Sequence, residues 1–149
     1  MRLEVSIVAE RIELVDADAI LLPVDGQICR LGGAVASGLR LALSPDERAD
    51  EMDYVVDGAV ASPDDCARMV RSAVPVAIAL AAELQLASLA APLIGTAYRM
   101  PPDLAIRAFA DGLAAASKHP VHLQWSLPDP SYRQVARTAG ERLGGARPA

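Results

Sequence analysis

Two glycine-containing segments stand where an apolar run gives way to a loop, and their residue types suit the binding of phosphate. Gly32 and Gly33 come directly before a predicted helix, and Gly95 and Thr96 follow the apolar run Ser88–Ile94. Glycine lets an anionic group approach the backbone, and the free N–H groups of a first helical turn can donate to it. The Thr96 hydroxyl would add a further donor. Each segment taken alone is also typical of an ordinary loop or strand-to-helix turn.

Three aspartates near the second apolar run are of a type that could bind a divalent cation. Asp16 and Asp18 precede the run Ala19–Val24, whereas Asp25 follows it. The two ends of such a strand are roughly 20 Å apart. The sequence therefore does not predict one metal site shared by these carboxylates.

The two histidines and two cysteines form no catalytic or metal-binding pattern in the sequence. His119 is expected at a helix end and His122 as a structural residue of the last strand, both away from the predicted cleft loops. Cys29 and Cys66 lack the paired spacing of a zinc site, and reduced thiols are the expected state. Neither a metal nor a cofactor is expected.

The composition indicates one globular domain with a net negative charge. The chain has 149 residues, 52% of them apolar, and a formal net charge of −5, with a pI of about 4.9. Nucleic acid is not an expected partner, because non-specific binding to it needs a basic surface. Met1 is not followed by a signal-peptide pattern, and the longest apolar stretch, Val74–Ile94, is interrupted by prolines and polar residues. The expectation is a cytoplasmic protein without a membrane segment.

The apolar periodicity predicts strands that alternate with helices. The predicted strands are 3–9, 18–23, 53–61, 88–94 and 121–127, and the predicted helices are 34–43, 63–84, 101–117 and 131–143. Ser62 is expected to cap the second helix, Pro75 to kink or split it, and Ser131 to cap the last one. The alternation implies an α/β sandwich whose sheet is at least partly parallel. We expect a single domain over residues 1–144 and a frayed tail over 145–149.

In their order along the chain, the two glycine segments resemble the signatures of the macro domain family. The first family signature is a strand of the type V-D-A-I-V-N-A-A-N, then a glycine-rich loop and a short helix; here Ala17–Asp25 is followed by Gly32–Leu39. The second is E-L-G-L, then S-I-A-F-P-A-I-G-T-G and a proline-opened helix; here Glu83–Ala97 is followed by Pro101. The resemblance covers nearly the whole chain and implies a three-layer α/β/α sandwich with a mixed central sheet.

The resemblance also implies a cleft for ADP-ribose, either free or attached to a protein. The first glycine loop would meet the pyrophosphate and distal ribose, the second would wrap the diphosphate, and Glu10 would hold the adenine amino group. The binding residues so implied are Glu10, Asp25, Gly32, Gly33, Ala34, Val35, Gly95, Thr96, Ala97, Tyr98 and Arg99. Glu10 and Arg99 are also typical of solvated charges, and Tyr98 of a residue that packs at a rim. Backbone donors would let an acidic protein hold this anionic ligand.

Departures from the family pattern leave three functions open. The two asparagines of the family fall on Leu22 and Asp25, and an ionised Asp25 can accept a hydrogen bond but cannot donate one. Leu31, Ala34 and Ala97 stand where the family has glycines. The first function is binding of ADP-ribose. The second is hydrolysis of an ADP-ribosyl or O-acyl-ADP-ribose bond, with Asp25 orienting or activating water. The third is a degenerate domain that serves as a protein-interaction module.

Overall fold

A parallel β-sheet forms the centre of the computed structural model, which describes residues 2–21, 62–95 and 100–142. The strands are β1 (Glu4–Val8), β2 (Ala19–Ile20), β3 (Ser88–Ala91) and β4 (His122–Ser126). Their order across the sheet is β1-β4-β3-β2. All three pairings are parallel. The carboxyl ends of all four strands therefore lie at one edge of the sheet.

Three helices lie side by side, with the middle one in contact with both others. They are α1 (Pro63–Glu83), α2 (Pro102–Ala115) and α3 (Pro130–Arg142), and a short 3-10 helix covers Ile12–Leu14. Ser62 begins α1 with a capping box, because its side chain accepts from the Asp65 N–H while the Asp65 carboxylate accepts from Ser62. Among the helices of residues 2–21, 62–95 and 100–142, none combines the length and the apolar character of a membrane span.

One face of the sheet packs against these helices. The strand register places Val5, Leu123 and Leu89 in one row across the sheet, and Trp125 lies in the next row. All four side chains are buried in the same apolar cluster as the inner residues of the helices. The Trp125 ring stacks on Phe109 of α2, with ring centroids 4.7 Å apart. This layer fixes how the strands and helices are placed relative to each other.

The opposite face of the sheet carries polar side chains and is crossed by the segment that joins β1 to β2. The Gln124 side chain donates to the Asp16 carbonyl over 2.6 Å, and the Ser126 hydroxyl donates to the Glu10 carbonyl over 2.7 Å. Side chains at alternate positions of a strand point to opposite faces. Along this strand and at the residue after it, Leu123, Trp125 and Leu127 are therefore part of the apolar core, whereas Gln124 and Ser126 form hydrogen bonds to the segment.

The α/β class is confirmed, and every predicted element within the described ranges has its counterpart. The described strands pair only in parallel, whereas the predicted mixed sheet also needs an antiparallel strand. The predicted helix over 34–43 and strand over 53–61 lie outside the described residues. Pro75 is expected to kink or split the second helix; α1 runs without a break through it, so the split is wrong and the kink stays a prediction.

The predicted cap of the last helix is also wrong by two residues. Helix α3 begins at Pro130, and the acceptor at its start is the carboxylate of Asp129 rather than Ser131. Ser131 instead donates to Asp129 Oδ1 from both its backbone N–H, over 2.8 Å, and its hydroxyl, over 2.7 Å. The hydroxyl of Ser131 is thus a donor inside the first turn, where the prediction made it an acceptor before the turn.

Candidate functional site

The carboxyl edge of the sheet brings together two of the predicted site residues. Glu10 follows β1, and Gly95 follows β3. Strand β4 lies between β1 and β3. Since neighbouring strands are about 4.8 Å apart, these two residues are separated by roughly 10 Å across the sheet. A ligand that touches both of them would cross the end of β4.

Glu10 is held by its backbone and leaves its side chain exposed. Its carbonyl accepts from the buried hydroxyl of Ser126, the last residue of β4, and the Leu127 N–H donates to the Val8 carbonyl over 2.9 Å. These two bonds extend the pairing of β1 and β4 beyond the strand ends. The Glu10 carboxylate is exposed and can accept from a ligand while its main chain stays in place.

Gly95 occupies a position that no other residue type can take without movement. It is buried and has a φ of +109°, in the region that only glycine adopts readily. A Cβ built on it would come within 2.5 Å of Met100 Cε and 3.3 Å of Met100 Sδ. Met100 is itself buried. Gly95 and Met100 thus lie against each other, which is consistent with the predicted turn at the end of β3.

The start of α2 lies at the same edge, directly after this loop. Pro101 occupies the N-cap position and Pro102 the first turn, and no side chain caps the helix in the described part of the chain. Pro101 and Pro102 have no N–H, so the groups of this turn that can bind an anion are the N–H groups of Asp103 and Leu104. Asp103 in the same turn carries a negative charge, and its carboxylate lies 3.9 Å from the Arg107 guanidinium.

Asp18 lies at the opposite edge, where it joins β2 to β3. Its carboxylate accepts from the N–H groups of Ala87, over 2.8 Å, and Ser88, over 3.1 Å. Its own N–H donates to the Ser88 hydroxyl over 3.0 Å. Asp18 thus has a structural role at the start of the strand, as its place in the sequence indicates. Residues 2–21, 62–95 and 100–142 contain no group of three His, Cys, Asp or Glu side chains that could hold a metal ion.

The two histidines also lie away from the carboxyl edge. His122 is the first residue of β4, and its Nε2 is 2.8 Å from the hydroxyl of Ser6 in β1. His119 stands in the turn after α2, where its N–H donates to the Ala116 carbonyl. The structural role predicted for His122 is consistent with this bond, although no pattern in the sequence indicated Ser6 as its partner.

Ser126 and Met100 also lie at this edge, although neither was predicted as a site residue. Ser126 is a polar residue at the end of an otherwise buried strand, which is a weak signal that its hydroxyl has a partner. Met100 gave none. The remaining predicted site residues lie outside the described part of the chain: Asp25, Gly32, Gly33, Ala34, Val35, Thr96, Ala97, Tyr98 and Arg99.

Comparisons with known proteins support the fold and little beyond it. No protein-family model and no curated protein matches the sequence. Among solved structures, the chain is similar to an Oceanobacillus iheyensis macrodomain with MES bound. The TM-score is 0.68 and the identity 16%, over 92% of this chain and 90% of the other. A similarity at this identity concerns the fold, and the chain has a macrodomain-like α/β fold.

Proposed function

We propose that the protein binds ADP-ribose, or a related ADP-ribosyl nucleotide, at the carboxyl edge of its sheet. The observation that carries the proposal is the position of Gly95. It is a buried glycine with a positive φ that joins a central parallel strand to the loop before an uncapped helix. Ligands in open α/β sheets bind beyond the carboxyl ends of the strands.

The chemistry of this edge matches the two ends of an ADP-ribosyl ligand. On the β3 side, the backbone N–H groups of Asp103 and Leu104 at the start of α2 suit a phosphate group, since they donate without adding a positive side chain. On the β1 side, the exposed carboxylate of Glu10 can accept from an exocyclic amino group such as that of adenine. The separation of roughly 10 Å across β4 requires a ligand longer than a single phosphate.

The overall charge of the protein is compatible with such a ligand. A net charge of −5 opposes the approach of an anion. Salt screens this repulsion, because it acts over a long range. Hydrogen bonds from backbone donors at a loop and a helix start act over a short range and are screened much less. Binding should therefore strengthen as the ionic strength rises, which is the reverse of the behaviour of a basic nucleic-acid-binding surface.

Calorimetric titration with ADP-ribose tests the proposal, with AMP and ribose 5-phosphate as partial ligands. We expect micromolar binding of ADP-ribose and weaker binding of each fragment. Gly95→Glu should abolish binding, because it places a side chain and a negative charge at the turn. Gly112→Ala is the matched control: its added Cβ would come within 2.7 Å of Val74 Cβ, between α1 and α2.

The control variant should lose stability and keep its affinity, since its clash is remote from the carboxyl edge. Wild-type protein that is folded by circular dichroism but gives no heat at millimolar ADP-ribose would refute the proposal and favour the interaction-module alternative. Incubation with an ADP-ribosylated protein decides the hydrolase alternative: release of ADP-ribose that disappears in Asp25→Ala would show turnover through that carboxylate.

A further inference from the structure

Helix α1 carries a second apolar surface that faces solvent. Four large side chains on it or at its C-cap, Leu84, are exposed: Met69 by 54%, Val76 by 69%, Leu80 by 52% and Leu84 by 62%. Ala73 is also exposed. Successive members are three or four residues apart, so they lie along one side of the helix. We call these five residues the outer stripe; it is about 22 Å long at the rise of an α-helix.

The outer stripe is distinct from the side of α1 that faces the core. Val70, Val74 and Ile78 are buried on that side. A helix at the surface of a domain normally has one apolar side and a polar opposite side. Single exposed apolar residues are common on protein surfaces, whereas an aligned row of them marks a contact surface.

We propose that the outer stripe binds a second copy of this chain, with the two α1 helices packed antiparallel about a two-fold axis close to Val76. Met69 and Leu84 stand at nearly equal distances on either side of Val76 along the helix. In an antiparallel pair, each Met69 would then pack near Leu80 and Leu84 of the other copy. Ala73 near the axis has a small side chain, which lets the two helices approach closely.

The charges beside the stripe are self-complementary in this arrangement. Arg68 lies eight residues before Val76, and Glu83 lies seven residues after it. With about 100° of rotation per residue, both side chains flank the same side of the outer stripe. A two-fold axis brings each Arg68 opposite Glu83 of the other copy. Arg68 already bonds Asp65 over 2.6 Å, and its side chain remains largely exposed. It can therefore contact Glu83 of the second copy as well.

The same charges disfavour a lipid surface as the occupant. The outer part of α1 carries Asp64, Asp65 and Glu83 against Arg68 and Arg71, which leaves it one charge negative. Helices that lie on membranes are rich in Lys and Arg on their polar side. A self-complementary row on a single helix also makes a small interface, so we expect a weak, concentration-dependent dimer.

Sedimentation equilibrium of the full chain, from about 1 µM to about 1 mM, tests this proposal. The wild type should shift from monomer to dimer within that range. Val76→Glu should weaken the dimer at least about tenfold, because each interface would then bury two unpaired carboxylates near the axis. Leu14→Glu is the matched control: Leu14 is 70% exposed in the 3-10 helix, away from α1, and its variant should dimerise as the wild type does.

Charge reversal gives a second measurement that does not depend on apolar packing. Arg68→Glu and Glu83→Arg should each weaken the dimer, and the double variant should restore it in part. Wild-type protein that stays monomeric throughout the range would overturn the proposal. So would a dimer that Val76→Glu leaves unchanged, because the contact would then lie elsewhere on the molecule. All of these positions are exposed, so circular dichroism should show the same fold in every variant.

Discussion

Ser126 and Glu10 are joined at the carboxyl ends of two neighbouring strands, although 116 positions separate them in the sequence. The Ser126 hydroxyl is buried and donates to the Glu10 carbonyl over 2.7 Å. A serine hydroxyl also bonds the backbone at the opposite edge of the sheet, where the Ser88 hydroxyl accepts from the Asp18 N–H over 3.0 Å. The two serines therefore form a natural pair for comparison, one at the candidate site and one remote from it.

Ser126→Ala should weaken the binding of ADP-ribose, because it releases the backbone that places Glu10. It should also destabilise the fold by about 1–3 kcal/mol, since the Glu10 carbonyl would lose its donor in a partly buried place. Urea unfolding gives the change in stability, and calorimetry gives the affinity. Ser88→Ala should lose stability as well but keep the affinity of the wild type. Equal affinities for the two variants would show that Ser126 does not position the ligand site.

Glu10→Ala should weaken binding of ADP-ribose and AMP by roughly tenfold to a hundredfold, the range expected for one hydrogen bond to a charged group. Ribose 5-phosphate has no adenine, so its affinity should stay the same or rise slightly as a negative charge is lost. Glu4→Ala provides the control, because Glu4 is an exposed carboxylate at the other end of the same strand. A parallel loss for ribose 5-phosphate would argue against a contact with the base.

Stability should decrease as the pH falls below about 4, in part through two carboxylates at helix starts. The Ser131 hydroxyl, and then its N–H, hold the pKa of Asp129 below its ordinary value. The Ser62 hydroxyl and backbone do the same for the pKa of Asp65. A carboxyl group whose pKa is lowered by folding stabilises the folded state at every pH above its ordinary, unfolded-state pKa. This stabilisation is lost as the pH falls through the pKa of the folded state.

Ser131→Ala should therefore reduce the loss of stability between pH 6 and pH 3, measured by urea unfolding. The reason is that Asp129 loses the main cause of its lowered pKa and titrates more nearly as it does in the unfolded chain. Thr138→Ala removes a hydroxyl from the same helix that bonds a backbone carbonyl and no carboxylate. It should leave the pH dependence unchanged; an equal effect of both variants would contradict the role given to Asp129.

The features of the fold that the sequence predicted are those with local causes. The Ser62 cap was predictable because its partner Asp65 lies three residues away and Pro63 fixes the first helical position. The start of α3 was misplaced because Asp129 and Ser131 are both good capping residues, and only the position where helical geometry begins separates them. The helix through Pro75 shows tertiary packing overriding a local preference, since Val74 and Ile78 on either side of it are buried.

The candidate site divides in the same way. Gly95 was predictable as a turn after an apolar strand, but its contact with Met100 depends on where α2 begins relative to the end of β3. The bond between Ser126 and Glu10 depends on strand order, because β1 pairs with the last strand of the sequence. No short-range pattern records that pairing. Residue types therefore indicated the candidate segments, and the sheet topology determined which of them are neighbours.

Trp125→Phe should cost less stability than the removal of the same number of heavy atoms by Phe109→Leu. Both rings are fully buried and stack on each other. Trp125 Nε1 is buried and has no hydrogen-bond partner among the described residues. A buried donor without a partner costs about 1–3 kcal/mol, and phenylalanine removes that donor. Phe109→Leu loses packing without removing an unpaired donor, and we expect it to cost about 2 kcal/mol.

Urea unfolding followed by circular dichroism measures the stability of both variants. Fluorescence is unsuitable, because Trp125 is the only tryptophan and one variant lacks it. If Trp125→Phe proved as costly as Phe109→Leu, the indole N–H would have to donate to a partner in the folded protein.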